Sequence, residues 1–432
     1  MKKVVGMLVS FTLLLQMGCG PAKDTLAIKP SFKEEGVSII DRGNYFDVTL
    51  DYTTGLTPRR MGELFGKGIL QMEPEYESLI DSYIAENINK NDYSGSFSRV
   101  EDLKPQLEQS YKEEIEGIAS AFSGGSENKR ADGKISLDEL YLFNLFPDVA
   151  RGTQCSFVSV FGESSETKST VSARILDWYG GSRNQLPRVQ GIVTIKYPGK
   201  RICSIGYMGY VGIITGLNDS KVFAAILDSQ SGAPYSSEGR RSYPLDLRFA
   251  LETKDTLDAA AEFMKEHSEE YTVNHILAFS DEKESKVLEN NFSGAGTNGQ
   301  EVRCALRSWD SELNDGVTWE MKDAVGSVNS FMLYGNKDNY SNDKCNTGRW
   351  ENMKEELSKM GPTVTPDELK EVASFDGGSP GAFLDSGDLY NKMTLQIVVY
   401  QPESFELDVF FRPQESRKNP DKPVFEKIQI FN

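Results

Sequence analysis

The sequence predicts a layered α+β protein. Two observations predict it. Helical periodicity dominates the chain before residue 155, and short strand-like runs with tight connections take over after it, interleaved with a few helices. Helices first, then many strands, then helices and strands, is the order of a layered α+β domain. With 432 residues, 38% apolar and 10% aromatic, the chain can bury one large core or two smaller ones and is not globally disordered.

The elements follow in order. Tyr45 to Leu50 predicts a strand. Thr57 to Asn89 is helical, with Met61, Leu64, Ile69, Leu79, Ile80 and Ile84 on one face and a break near Pro74. Glu101 to Phe122 reads as a second helix, with Leu103, Leu107, Tyr111, Ile115, Ile118 and Phe122 every three or four residues. Ser136-Leu137-Asp138-Glu139 matches a capping box and opens a short helix running to Phe146. Strands are expected at Cys155–Phe161, Val171–Leu176, Gly191–Tyr197, Ile202–Tyr207 and Val222–Leu227. A helix over Thr256–His267 precedes a hairpin at His275–Phe279 and Lys286–Glu289. Helices at Asn346–Met360 and Pro366–Ala373 lead to strands at Met393–Tyr400 and Phe405–Phe411, then a charged loop and a last short strand.

The net charge of −18 (47 basic, 65 acidic residues) would repel a phosphate backbone and argues against a nucleic-acid partner. Lys2 and Lys3 precede an apolar run from Val4 to Met17, too short to span a bilayer. This predicts an export signal over residues 1–22. Gly18-Cys19 resembles a bacterial lipoprotein processing site, although Gln16 stands where such sites prefer an aliphatic residue. Cys19 would then carry a lipid and anchor the chain to a membrane; ordinary cleavage near Ala22 is the alternative. No later segment is long and apolar enough to span a membrane. With Cys19 and Cys155 set aside, Cys203, Cys304 and Cys345 allow at most one disulfide. There is no Cys-x-x-Cys pair and only two histidines, His267 and His275, so no metal centre or cofactor is expected. Asn128 to Glu139 has the Gly, Ile and Glu of a calcium loop, but Arg130 occupies a ligand position and would repel the ion.

Cys155 is the candidate nucleophile. A thiolate attacks carbonyl carbon well, but something must take the thiol proton. Only His267 and His275 could form a Cys-His pair. The alternative base is a free α-amine on Cys155 itself, whose ordinary pKa of about 7.7–8.0 suits the task. A cysteine in a strand is otherwise a small buried hydrophobe. Arg174 and Asp177 close the next strand and could equally be a surface ion pair.

Several patches, in order, carry a resemblance. Glu114-Ile115-Glu116-Gly117-Ile118-Ala119, Leu142 to Asp148, Cys155-Ser156, Ala173-Arg174-Ile175-Leu176-Asp177-Trp178 and the glycine-rich Gly206 to Gly216 resemble the acid ceramidase and N-acylethanolamine acid amidase family. More distantly they resemble choloylglycine hydrolases and penicillin acylase-like proteins. The resemblance implies a four-layer αββα sandwich of the N-terminal-nucleophile hydrolase type. It implies self-cleavage between Gln154 and Cys155, dividing the chain into an α-rich part, residues 23–154, and a catalytic part, residues 155–432, that stay associated. Cys155 becomes nucleophile and its amine the base; Asp177 orients the amine and Arg174 favours the thiolate. Asn329 in Ser327 to Phe331 matches the family's oxyanion donor, and Arg349 its later arginine; either could instead cap a loop or helix. The interval between them is longer than in ceramidases, with Lys337 to Lys344 as an inserted loop. Trp178, Tyr210 and Asp228 are candidate substrate contacts. Asp228 stands where relatives place an Asn, and a carboxylate cannot donate as an amide does.

The resemblance implies an exported enzyme, secreted, lysosome-like or membrane-anchored, that hydrolyses linear N-acyl amides such as fatty-acid amides through a Cys155 thioester. Bile-salt, penicillin or acyl-transfer chemistry is the alternative within the fold. A lipoprotein that binds an acyl ligand without turnover is the alternative outside enzymology, motivated by Asp228 and the long Asn329–Arg349 interval.

Overall fold

The computed structural model describes residues 30–150, 154–229, 235–291, 304–336, 338, 340–377 and 387–431. The export signal and Cys19 lie outside the described residues. Among the described residues no helix is long and apolar enough to cross a membrane.

The chain opens with β1 (Ser31–Glu34), β2 (Val37–Asp41) and β3 (Phe46–Asp51). Six helices follow: α1 (Pro58–Met72), α2 (Tyr76–Asn87), α3 (Tyr93–Leu103), α4 (Gln109–Ala119), α5 (Leu137–Asn144) and α6 (Phe146–Val149). Next come β4 (Gln154–Val160), β5 (Val171–Asp177), α7 (Gln185–Val189), β6 (Gln190–Tyr197), β7 (Lys200–Tyr207), β8 (Thr215–Asn218) and β9 (Phe223–Asp228). Then α8 (Tyr243–Thr253), α9 (Leu257–Glu266), β10 (His275–Ser280), β11 (Ser285–Asn290), β12 (Cys304–Arg307) and β13 (Ala324–Ser327). The chain closes with α10 (Lys344–Lys359), α11 (Pro366–Ala373), β14 (Thr394–Gln401), β15 (Glu406–Phe411) and β16 (Glu426–Gln429).

Ten strands form one sheet, in the order β1-β2-β3-β6-β7-β8-β9-β10-β11-β12. Six form the other, β13-β4-β5-β14-β15-β16. Every pairing is antiparallel except β3 with β6. Side chains alternate across a strand, and β4 shows the result. Cys155 and Phe157 join the core shared with the larger sheet, whereas Val158 and Val160 join the core under α10 and α11. Helices α8 and α9 cover the far side of the larger sheet and α10 and α11 the far side of the smaller one. The result is the expected αββα sandwich, with β4 and β5 in its middle.

Two expectations need correction. The helix expected over 101–122 is two: α3 starts at Tyr93, and Lys104-Pro105-Gln106 breaks the run before α4. Pro105 has no N–H to donate, which ends the helix. The part before Cys155 also carries two strands, β1 and β2, ahead of the expected one at β3, all three in the larger sheet. The capping box at Ser136 and Glu139 is present in both directions. Cys155, Cys203, Cys304 and Cys345 are all free thiols.

Candidate active site

Cys155 is the second residue of β4 and is 1% exposed. Its cross-strand neighbour is Leu176, and Gln154 pairs with Asp177. Arg174 lies two positions back along β5 on the face that Cys155 uses, close enough for a long side chain to reach it diagonally. Its Nη2 sits 3.2 Å from the Cys155 Sγ and donates to the Ile226 carbonyl at 3.0 Å. Its Nε and Nη1 are buried and have no partner. A guanidinium with two unmet donors beside a thiol is poised to receive an oxygen atom.

Asp177 and Ser156 point the other way, toward α10, and Arg349 on that helix meets them. Arg349 donates to the Cys155 carbonyl at 2.7 Å, to Ser156 Oγ at 3.1 Å and to Asn329 Oδ1 at 3.0 Å. It lies 3.9 Å from Asp177. Asn346, one helical turn before Arg349, also accepts from it. The Cys155 backbone N–H donates to Asn329 Oδ1 at 2.6 Å, and Asn329 Nδ2 donates to the Asp228 carbonyl at 2.6 Å. That amide orientation is fixed by chemistry: both neighbours of Oδ1 can only donate, and the Asp228 carbonyl can only accept.

The five candidate catalytic residues Cys155, Arg174, Asp177, Asn329 and Arg349 therefore converge. Asp177 does not hold the Cys155 nitrogen in the uncut chain. Its carboxylate accepts from Thr394 Oγ1 at 2.6 Å and Asn391 Nδ2 at 3.2 Å, and burial pushes its pKa up to about 6. Asn329 is a clamp on Cys155 and β9, with one amide N–H already committed, not an open oxyanion donor. Arg174 favours the Cys155 thiolate, the direction expected of a nearby cation, against the opposing effect of burial. Burial pushes the thiol up, and Arg174 and Arg349 only oppose it. Arg174 and Asp177 are both buried, so the surface ion pair is excluded.

Asp228 enters through its backbone carbonyl. Trp178 and Tyr210 share an aromatic cluster with Tyr83, Phe143, Phe146 and Tyr207, enclosing only about 10 Å³. Tyr207 lies within electrostatic reach of both Cys155 and Arg174, which places this cluster beside the thiol. The Gln154 side-chain oxygen is buried without a partner. Neither histidine serves the thiol. His275 stacks on Tyr243 with Nδ1 3.0 Å from the Val273 carbonyl, and His267 pairs with Glu270. In the glycine-rich segment, Gly209 has φ of +76°, and a Cβ there would meet the Tyr76 hydroxyl at 2.2 Å, so close packing explains it. Thr394, Asn391 and Asn346 are site residues without a local sequence signal.

The chain is thus an αββα sandwich with a buried cysteine near the start of an inner strand and, among the described residues, no histidine at its thiol. The chain is similar in structure to a Caenorhabditis elegans N-acylethanolamine-hydrolyzing acid amidase ortholog (14% identity, 57% of this chain and 93% of that one, TM-score 0.41). It is also similar to a Clostridium perfringens conjugated bile acid hydrolase mutant (11%, 64% and 92%, 0.39) and to penicillin V acylase from Agrobacterium tumefaciens (12%, 64% and 86%, 0.36). No family model and no curated protein matches the chain.

Proposed function

We propose that the protein is an exported, self-processed cysteine amidase acting on linear N-acyl amides. The observation that carries this reading is the arrangement at Cys155: Arg174 on its sulfur, Asn329 on its N–H and Arg349 on its carbonyl. Sγ attacks the Gln154 carbonyl carbon, the C–N bond to Cys155 breaks, and the nitrogen takes the thiol proton. Water then hydrolyses the thioester, leaving a Gln154 carboxylate and an α-amine on Cys155.

That amine, with an ordinary pKa of about 7.7–8.0, takes the thiol proton in the reaction on substrate. The thiolate attacks the amide carbonyl, the proton passes to the departing amine, and water releases the acid. Asp177, opposite Gln154 in the register, is the carboxylate placed to hold the new amine. The unmet N–H groups of Arg174 supply oxyanion contacts, and one Asn329 N–H is held on the Asp228 carbonyl. The aromatic cluster around Trp178 and Tyr210 supports an apolar acyl half, of which fatty-acid chains are the leading class. It is packed shut in the uncut chain, so the segment carrying Phe146 must shift before a chain enters. Strands β1–β3 belong to the larger sheet, which supports the two chains staying together after cleavage.

Denaturing electrophoresis with N-terminal sequencing tests the reading. A second chain beginning at Cys155, lost in Cys155→Ala, and hydrolysis of N-acyl amides by the cut protein are the expected results. A chain that stays intact at neutral and acidic pH overturns it and favours an acyl-binding lipoprotein.

A further inference from the structure

A cavity of about 720 Å³ opens at the same end of the smaller sheet as Cys155. It shares Asn391 with the site, the residue that donates to Asp177. Its lining includes Lys392, Arg412, Arg417 and Lys418 against one carboxylate, Asp421, in a chain whose net charge is −18. Arg412 is the centre of this excess. It is only 6% exposed, yet no carboxylate of the described residues lies within ion-pair distance of it. Its Nε donates to Asn419 Oδ1 at 2.9 Å and its Nη2 to the Lys392 carbonyl. Nη1 makes no hydrogen bond to another of the described residues and stands beside Gly180, where a Cβ would come within 3.3 Å of it. The other buried arginines outside the catalytic cluster, Arg248 and Arg307, are paired with Glu114 and Glu289. A buried cation is retained when something neutralises it.

We infer that this cavity is an anion subsite for the amine half of the substrate, with Arg412 as its counter-charge; this rests on the amidase reading above. Cys155, Leu176, Gln396 and Phe411 lie side by side across β4, β5, β14 and β15, so Arg412 is three strand spacings from the thiol, about 14 Å along the sheet. Its Nη2 on the Lys392 carbonyl and its Nη1 beside Gly180 put the guanidinium next to the segments that follow Asp177 and carry Asn391. The anion is therefore held some 6–10 Å from the scissile carbonyl, allowing for the reach of the side chain. A carboxylate or phosphate at that distance fits, as in an N-acylglutamate γ-carboxylate or an N-acyl phosphoethanolamine.

The test compares kcat/KM for matched pairs with one acyl chain: N-acylglutamate against N-acylglutamine, and N-acyl phosphoethanolamine against N-acylethanolamine. The cut native protein is expected to favour the anionic member of at least one pair by about 10- to 100-fold, the worth of one charge-assisted hydrogen bond. The pair that responds tells carboxylate from phosphate. Arg412→Gln should bring that ratio close to one, and Arg412→Lys should restore part of it. A ratio near one in the native protein, or one that Arg412→Gln leaves alone, overturns the subsite while leaving the amidase reading standing. Hydrolysis of none of the four amides counts against the amidase reading. The subsite is then judged by calorimetric binding of glutamate and phosphoethanolamine: saturable binding lost in Arg412→Gln keeps it, and no binding overturns it. If Arg412→Gln does not fold, the exposed lining residues are substituted together as Arg417→Gln and Lys418→Gln. A severalfold fall in the ratio supports the subsite, and an unchanged ratio overturns it.

Discussion

Arg349→Met isolates the contribution of the guanidinium that ties α10 to the nucleophile. Methionine keeps much of the stem's bulk and removes every donor. Five acceptors lose a partner: the Cys155 and Cys345 carbonyls, Ser156 Oγ, Asn329 Oδ1 and Asn346 Oδ1. At about 1.5–3 kcal/mol per charge-assisted bond, a simple sum reaches roughly 8–15 kcal/mol. That sum overshoots, because bonds in one network are not additive. Burying the guanidinium also has a cost, visible in the downward pull of burial on its pKa. Removing one partner of a buried charged network typically costs about 3–5 kcal/mol, and that is the expected loss. Urea unfolding of the uncut protein, built in the Cys155→Ala background so that processing does not intervene, measures it as a lowered midpoint at unchanged slope. Arg349→Lys should recover part of the loss, since one ammonium can still reach the Cys155 carbonyl. A loss below about 1 kcal/mol, the size of an ordinary surface change, would refute the network as the element that fixes Cys155.

Three further outcomes are expected. Asp148 is buried beside Ser242, Tyr243 and Thr272, and burial pushes its pKa up to about 8. The folded state holds a proton that the unfolded state, near 3.9, gives up, so this stabilisation is complete below pH 4 and is lost as pH rises through 8, on the order of 5 kcal/mol; urea midpoints of Asp148→Asn should be flatter from pH 4 to 8 than those of the native chain. Asn329→Ala frees the Cys155 N–H and should slow appearance of the Cys155-terminated chain about a hundredfold on a timed gel, the scale of a small misplacement at a reacting centre; unchanged cleavage would remove Asn329 from the positioning set. Trp178→Ala should raise KM for a long-chain amide about tenfold more than for an acetyl amide, as expected for lost apolar contact; equal effects on both would place the acyl chain elsewhere.

The parts of the fold that were legible in the sequence are those with a local pattern. The α11 helix matches the expected Pro366–Ala373, because its apolar period and Thr365 capping box lie within one short stretch. The α8 helix is different. Tyr243, Pro244, Leu245, Asp246, Leu247 and Arg248 are all buried, so it has no polar face for periodicity to reveal. Strand β8 is four residues with a glycine, below the length at which alternation is readable. The site divides in the same way. Cys155, Arg174 and Asp177 sit on neighbouring strands of one short segment, so their spacing carries the signal. Asn391 and Thr394, which hold Asp177, come from 214 and 217 residues away, and only sheet pairing brings them in. The oxyanion role expected of Asn329 depends on where its amide points, which only the Asp228 carbonyl and Arg349 decide.

On the proposed reading, the uncut site is silent toward substrate for reasons its own geometry gives. Cys155 is buried, burial holds its thiol protonated, and its nitrogen is an amide that cannot act as a base. The aromatic cluster beside it has no room for a chain. What the site already does is fix the Cys155 backbone on both sides, through Asn329 on its N–H and Arg349 on its carbonyl. On that reading, breaking the Gln154–Cys155 bond would supply what is missing: a free amine at the sulfur, an Asp177 carboxylate across the register to hold it, and a chain end able to move away from the thiol. The proton acceptor needed for turnover would then be a product of the first reaction, which fits a chain with two histidines, neither of them at the thiol.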